Sequence, residues 1–141
     1  MSGVGERTAD HGSTGRRVVI EAAGWPRREQ LRRAFEQAGY HAVTCAGPEG
    51  SDRRCLLAAG ERCPAVEEAD VVVHALGHYD PRNREVLERL GRVVPETPVV
   101  VEVPEPVVAR HPERYQRVTV VPGPSGAEAL VEAVRQVLGE P

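Results

Sequence analysis

The chain has 141 residues, which is the length of one domain, and its composition, 40% hydrophobic and 28% charged, is typical of a globular protein. All 18 basic residues are arginine, which excludes chemistry that needs a lysine, such as Schiff-base formation. The net charge of −3 argues against nucleic acid or an anionic membrane as the partner. The sequence contains neither a run of roughly 20 apolar residues nor the apolar core of a secretory signal, so we expect a cytoplasmic protein.

The hydrophobic pattern divides the chain into a tail and one domain. Residues 1–15 are rich in Gly, Ser and Thr and are predicted to form a flexible N-terminal tail, while residues 16–141 are predicted to form an α/β domain. Short β-branched runs predict strands, and amphipathic stretches between them predict helices. The predicted strands are 17–21, 41–45, 70–74, 98–103 and 117–121, and the predicted helices are 26–38, 82–92 and 126–138.

Residues with special backbone or capping preferences mark the ends of these helices. Pro26 is favoured at a first helical position, and Gly39 is predicted to end the same helix in a left-handed conformation. Ser125 and Glu128 have the spacing of a capping box for the last helix, although the same turn is also typical of an anion site. The segments 47–64 and 104–116 are predicted to be irregular or to hold only short helices.

Alternation of strands and helices predicts a parallel sheet with right-handed crossovers. Five strands in this length favour a flavodoxin-like sheet of order 2-1-3-4-5 with helices on both faces. In such a sheet, the functional edge lies at the carboxyl ends of the strands, near the point where strand order reverses between the first and third strands.

Three stretches carry a resemblance to a known family. They are residues 18–43, which hold the first strand, the first helix and the second strand; residues 69–101, which hold the third and fourth strands; and residues 120–138, which hold the fifth strand and the last helix. In this register the chain resembles the bacterial response-regulator receiver domain. The resemblance spans residues 17–138 and implies the same fold.

The family's phosphotransfer chemistry needs an acidic pair, an acceptor aspartate, a Thr or Ser and a lysine at the strand ends. In this chain only one acid remains at those positions. The resemblance places the degenerate pocket at Glu21, Ala22, His74, Ala75, Glu102, Val103 and Gly123, with Ala75 at the acceptor position and Gly123 at the lysine position. Because alanine has no nucleophile, phosphorylation by the family mechanism is excluded at Ala75.

The resemblance therefore implies a regulatory or signalling domain that acts through protein contacts and is not an enzyme. A protein partner is expected, with a homodimer as one alternative and no cofactor. By resemblance, the interface is expected around residues 104–116 and 126–138.

Three cysteines support an alternative function as a sensor. Cys45 ends the second predicted strand, and Cys55 and Cys63 lie in the irregular segment that follows. Three thiolates are a zinc ligand set, and two can form a reversible disulfide. Free cysteines that pack as small hydrophobes are the structural alternative.

A second alternative is a small enzyme that uses acids and histidines at the strand ends. The candidates are Glu21, His74, His78, Asp80 and Glu102, residue types that bind divalent metals or transfer protons. This hypothesis requires the side chains to converge in one pocket, and a solvated polar edge is the alternative. Trp25, the only tryptophan, follows the first strand and is either a contact residue or a packing residue at the helix start.

Overall fold

A computed structural model describes residues 14–49 and 55–141 and contains a five-stranded parallel sheet of order β2-β1-β3-β4-β5. The strands are β1 Arg17–Glu21, β2 His41–Cys45, β3 Val71–His74, β4 Val99–Val103 and β5 Thr119–Pro122. The fold and the strand order are those predicted from the sequence. Residues 1–13 of the predicted tail lie outside the described residues, and the backbone N–H of Thr14 donates to the carbonyl of Gly39 at 2.9 Å.

Helices cover both faces of the sheet. They are α1 Trp25–Gln37, α2 Pro64–Glu67, α3 Pro81–Val93, α4 Glu105–Arg110 and α5 Ala127–Val137. Gly39 follows α1 with φ of 98°, as predicted for its cap. None of the helices in the described ranges is long and apolar enough to cross a membrane.

The two segments predicted to be irregular contain only short turns and helices. A 3₁₀ turn, Gly47–Glu49, follows β2, and α2 has a single turn. Residues 50–54 of the first segment lie outside the described residues. The second segment holds α4 and a 3₁₀ turn, Pro112–Tyr115. α4 and this 3₁₀ turn each have a proline in their first positions, where it cannot continue a helix from the preceding residues.

The hydrophobic core has two layers, one on each side of the sheet. One layer packs alternate strand residues, such as Ile20 and Val100, against Phe35 of α1 and Leu130 of α5. The other packs the intervening residues, such as Val72, against α2, α3 and α4. Because the central strands are buried on both faces, their sequences are continuous runs of valine and isoleucine.

The register of the sheet determines which polar residues become neighbours. Glu21 at the end of β1 is paired with Cys45 of β2 on one side and His74 of β3 on the other. On the far side of the sheet, Glu102 of β4 is paired with Val121 of β5. The carboxyl edge therefore carries the residues that the sequence predicted for a site.

Candidate functional site at the carboxyl edge of the sheet

A buried acid and a histidine meet at the ends of the two central strands. Glu21 is 2% exposed and His74 is 4% exposed. His74 Nδ1 lies 2.7 Å from Glu21 Oε1. Such a contact fixes the orientation of the imidazole, as carboxylates do for histidines in catalytic and metal sites. Within residues 14–49 and 55–141, the structure assigns no hydrogen bond to His74 Nε2, so the second ring nitrogen has no fixed partner.

Glu102 belongs to a separate polar cluster on the other face of the sheet. Its Oε2 accepts from Arg27 Nη2 at 2.8 Å, from the Ser125 backbone N–H at 2.9 Å and from Ser125 Oγ at 2.6 Å. Arg27 Nη2 also donates to the Ser125 carbonyl at 3.0 Å. The carboxylate thus joins the end of β4 to the start of α1 and to the turn before α5.

This cluster corrects the predicted capping box. The N-cap of α5 is Gly126, and no side chain caps the helix. Ser125 donates its hydroxyl to Glu102 instead, because the turn before α5 passes over the end of β4. The sequence also predicts an anion site at this turn, and the anion that its Ser125 donors bind is the protein's own Glu102 carboxylate.

The remaining positions of the degenerate pocket have no reactive group. Ala22 and Val103 are buried in the core, and the Ala75 backbone N–H donates to the Glu21 carbonyl at 2.8 Å. A Cβ added at Gly123 would lie 3.0 Å from Glu102 Cγ. The Glu102 side chain therefore packs against the backbone at Gly123.

The five acids and histidines of the strand-end hypothesis do not converge on one pocket. Three of the five, His74, His78 and Glu102, border a small crevice with a volume of about 10 Å³, close to what one water molecule needs. The carboxylate of Glu102 is nevertheless held by Arg27 and Ser125. Asp80 is the N-cap of α3 and accepts from the Arg82 backbone N–H at 2.9 Å, so its role is structural. Glu21 pairs with His74 beneath the crevice and does not line it.

Two further groups near this crevice have unusual environments. Burial lowers the pKa of His78 below its usual value, and the charges of Arg110 and Arg84 lower it further. Asn83 is 1% exposed and donates through Nδ2 to Glu49 and to the Gly77 carbonyl. Asn83 Oδ1 has no hydrogen-bond partner within the described part of the chain. Sequence reasoning missed Asn83, because burial of an asparagine in a first helical turn leaves no sequence pattern.

The three cysteines lie on the same side of the molecule. Cys45 is exposed, Cys55 and Cys63 are partly buried, and all three thiols are free. Partial desolvation raises the pKa of the Cys45 thiol to about 12, and the charges of Glu21, Cys55 and Cys63 contribute to the rise. Because the Cys45 side chain also reaches solvent, water offsets part of this effect.

No group of three or more His, Cys, Asp or Glu side chains within residues 14–49 and 55–141 is arranged to hold a metal ion. Zinc binding at the cysteines remains a prediction from the sequence, and a measurement of metal content tests it.

The largest exposed side chains of the site are aromatic. Trp25 is 66% exposed and Tyr79 is 85% exposed. Trp25 borders an open groove between α1 and α5 and provides little packing at the helix start, which favours its interpretation as a contact residue. Sequence reasoning missed Tyr79, which lies beside His78 in the loop between β3 and α3. The two rings of His78 and Tyr79 lie 4.1 Å apart.

Solved structures with the same fold are receiver domains. The chemotaxis response regulator CheY4 of Vibrio cholerae is 18% identical, with a TM-score of 0.65 over 88% of this chain and 99% of that one. A CheY-like receiver domain from Methanospirillum hungatei is 14% identical, with a TM-score of 0.65 over 89% and 95% of the two chains. A protein described as one of the redox sensors of the streptococci that evolved from response regulators has a TM-score of 0.64 at 14% identity, over 89% of this chain and 52% of that one.

Comparison of sequences gives less. No known family model matches the chain. The ribosomal protein uS12 methylthiotransferase RimO of Thermus thermophilus is 35% identical in an alignment of 88 residues. The alignment covers 57% of this chain and only 19% of that protein. The similarity that covers the whole domain is therefore structural, and the chain has the five-stranded flavodoxin-like fold of response-regulator receiver domains.

Proposed function

We propose that this protein is a regulatory domain of receiver type that acts by binding another protein and does not transfer a phosphoryl group. The observation that carries the proposal is the state of the strand-end pocket. Ala75 stands at the acceptor position, and the two acids nearby are engaged, Glu21 by His74 and Glu102 by Arg27 and Ser125. A phosphoryl site of the receiver type needs an acceptor aspartate and free carboxylates for a divalent cation, whereas this pocket has no aspartate and both of its carboxylates are engaged.

Treatment with a small phosphodonor tests this function directly. The purified chain is incubated with acetyl phosphate, with and without Mg²⁺, beside a receiver domain that carries the acceptor aspartate. Intact mass and phosphopeptide mapping are then recorded. We expect the control domain to gain a phosphoryl group only with Mg²⁺ and this chain to gain none. A Mg²⁺-dependent phosphoryl group on any aspartate or on His74 of this chain would overturn the proposal.

A second candidate function is a thiol-based sensor at Cys45, Cys55 and Cys63. Cys55 and Cys63 pack against the same layer of the core, and the charges of both act on the Cys45 thiol, which supports the grouping of the three cysteines on one side of the molecule. A structural neighbour is itself described as a redox sensor derived from response regulators. For this candidate, hydrogen peroxide would accept two electrons from two thiols, and a disulfide and water would form.

Mass spectrometry after mild oxidation distinguishes the two functions. The chain is treated with a small excess of hydrogen peroxide, free thiols are alkylated, and peptides are mapped; native mass spectrometry of the untreated protein reports bound zinc. A reversible disulfide within the set favours the sensor. If the three thiols stay free and no zinc is bound, the sensor is contradicted and protein binding is the function that remains.

A further inference from the structure

The exposed aromatic residues of the described chain are concentrated at one edge of the sheet. Of the three large hydrophobic side chains that it exposes, two follow β1 and β3: Trp25 is the first residue of α1, and Tyr79 lies in the loop between β3 and α3. The third, Val93, ends α3 and is only 39% exposed. We name residues 22–28 and 75–84 the switch-point rim. Aromatic side chains exposed to this degree are costly in water and are common at binding sites.

The topology places both loops of this rim side by side. β1 and β3 are adjacent parallel strands, with Glu21 in register with His74. The strand order reverses between them, since β2 lies on one side of β1 and β3, β4 and β5 lie on the other. In open α/β sheets, ligands bind in the crevice at this point because the two loops diverge to opposite faces.

The rim has an excess of positive charge, although the chain as a whole has a net charge of −3. It contains four arginines and one aspartate. Arg82 is paired with Asp80 at 2.7 Å, and Arg27 with Glu102 at 2.8 Å.

Arg28 and Arg84 are the two arginines of the rim that form no close ion pair within the described residues, and the charge of Arg84 also acts on Asp80. Arg28 donates Nη1 to the carbonyls of Ala22 and Ala23, and Arg84 donates Nη1 to the carbonyls of His78 and Tyr79.

These bonds hold both guanidinium groups at the rim and leave donors for a ligand. Within the described residues each guanidinium donates only through Nη1, and a guanidinium has five N–H donors, so Nη2 and Nε remain for a carboxylate. Arg110 of α4 adds a third positive charge close enough to act on His78. One carboxylate, Glu49, contacts the rim directly, where it accepts from Asn83 and its charge acts on Arg82. The rim therefore combines two exposed rings with cations that carboxylates can bind.

Resting on the proposed function, we infer that the switch-point rim is the protein-binding surface, and that its partner is an acidic peptide segment with apolar side chains. Trp25 and Tyr79 cover the apolar side chains, and Arg28 and Arg84 receive the carboxylates. Trp, Tyr and Arg are the residues that most often dominate binding energy at interfaces. This surface differs from the predicted interface around residues 104–116 and 126–138, whose described residues expose no large hydrophobic side chain.

The single tryptophan makes the binding measurable without a label. Trp25 fluorescence is recorded during titration with an acetylated 12-residue peptide of Asp and Glu that contains two leucines. The same titration is made with a peptide that has Arg in place of each acid and with oligothymidylate. We expect a blue shift with the acidic peptide only, because the indole leaves water, and an affinity that falls with added salt. An unchanged emission with the acidic peptide, or a shift with oligothymidylate alone, would overturn the inference.

Variants separate the rim from the rest of the surface. Tyr79→Ala and Arg84→Ala are expected to weaken binding of the acidic peptide at least about tenfold, as hot-spot residues do. Arg92→Ala, near the far end of α3, is the matched control and is expected to bind unchanged. Binding that is equal in all three variants would contradict the assignment of the rim. If binding is equal in the three variants and acetyl phosphate still does not react, the proposed function stands and the interface lies elsewhere. Phosphorylation of the chain, in contrast, overturns the proposed function itself.

Discussion

Glu21 is the last residue of β1 and Glu102 the penultimate residue of β4, and yet the two have opposite environments. Glu21 lies within the core at 2% exposure, and its recorded side-chain partner is His74. The Glu102 side chain is 15% exposed, and one of its oxygens accepts from a guanidinium, a backbone N–H and a hydroxyl. The first arrangement depends on a single contact in a medium of low dielectric, while the second is distributed over three donors near solvent.

The two environments predict different losses of stability when a partner of the carboxylate is removed. A buried carboxylate is tolerated only while its partner is present, because an unpaired charge in the core costs several kcal/mol. A carboxylate with several donors and access to water loses less when any one donor is removed. The Glu21–His74 pair is thus the sensitive element, and the Glu102 cluster is a reinforcement between β4, α1 and the turn before α5.

Removal of one member of the buried pair is expected to have the largest effect. His74→Leu leaves the Glu21 carboxylate without its partner and should lower the free energy of unfolding by about 3–5 kcal/mol. Urea unfolding followed by circular dichroism measures it. The double variant Glu21→Met with His74→Leu removes both polar groups and should recover most of the loss. If the double variant loses as much as the two single variants together, the pair is not coupled and the comparison fails.

Disruption of the exposed cluster is expected to cost less. Glu102→Gln keeps an acceptor for Ser125 but loses the charge that attracts Arg27, so the free energy of unfolding should fall by about 1–2 kcal/mol. The same urea experiment applies. Glu128→Gln in the first turn of α5 serves as the control for loss of a surface carboxylate and should change stability by less than about 0.5 kcal/mol. A loss as large as that of His74→Leu would show that Glu102 is no less critical than Glu21.

The sequence predicted the architecture well because the evidence for it is local. The runs at Val18–Ile20, Val71–Val73 and Val99–Val101 are apolar throughout, and this pattern is typical of strands that helices cover on both faces. Pro26 and Gly39 marked the limits of one helix for equally local reasons. Strand order followed from alternation of strands and helices and from the length of the chain.

The same continuous runs explain why the arrangement of the site was not predicted correctly. A strand with one solvated face shows alternation, which tells which side chains share a face; a strand buried on both faces does not. The sequence therefore placed Glu102 with Glu21 and His74, whereas the structure places it on the opposite face with Arg27 and Ser125. The capping box failed for a related reason, since a contact between distant parts of the chain took the Ser125 hydroxyl.

Thiol reactivity at Cys45 gives a smaller and more local test of the buried acid. Cys45 is in register with Glu21, and partial desolvation together with that carboxylate raises the pKa of the thiol to about 12. At pH 8 the thiolate fraction should therefore be low, and alkylation by iodoacetamide should be at least about tenfold slower than for free cysteine. Time-resolved peptide mapping measures the rate. Labelling of Cys45 as fast as glutathione would contradict the raised pKa of this thiol.

The smallest effect is expected at His78, on the solvent side of the pair. Partial burial and the charges of Arg110 and Arg84 lower its pKa below the usual 6.5. The unfolded chain then binds a proton at higher pH than the folded one, so His78 costs no stability above pH 6.5 and progressively destabilises the fold as pH falls below it. NMR titration of the His78 ring should show a midpoint below 6.5 that rises in Arg110→Ala and stays constant in Arg92→Ala. An unchanged midpoint in Arg110→Ala would show that the charge of Arg110 does not act on His78 at the border of the switch-point rim. It would not bear on the buried Glu21–His74 pair beneath.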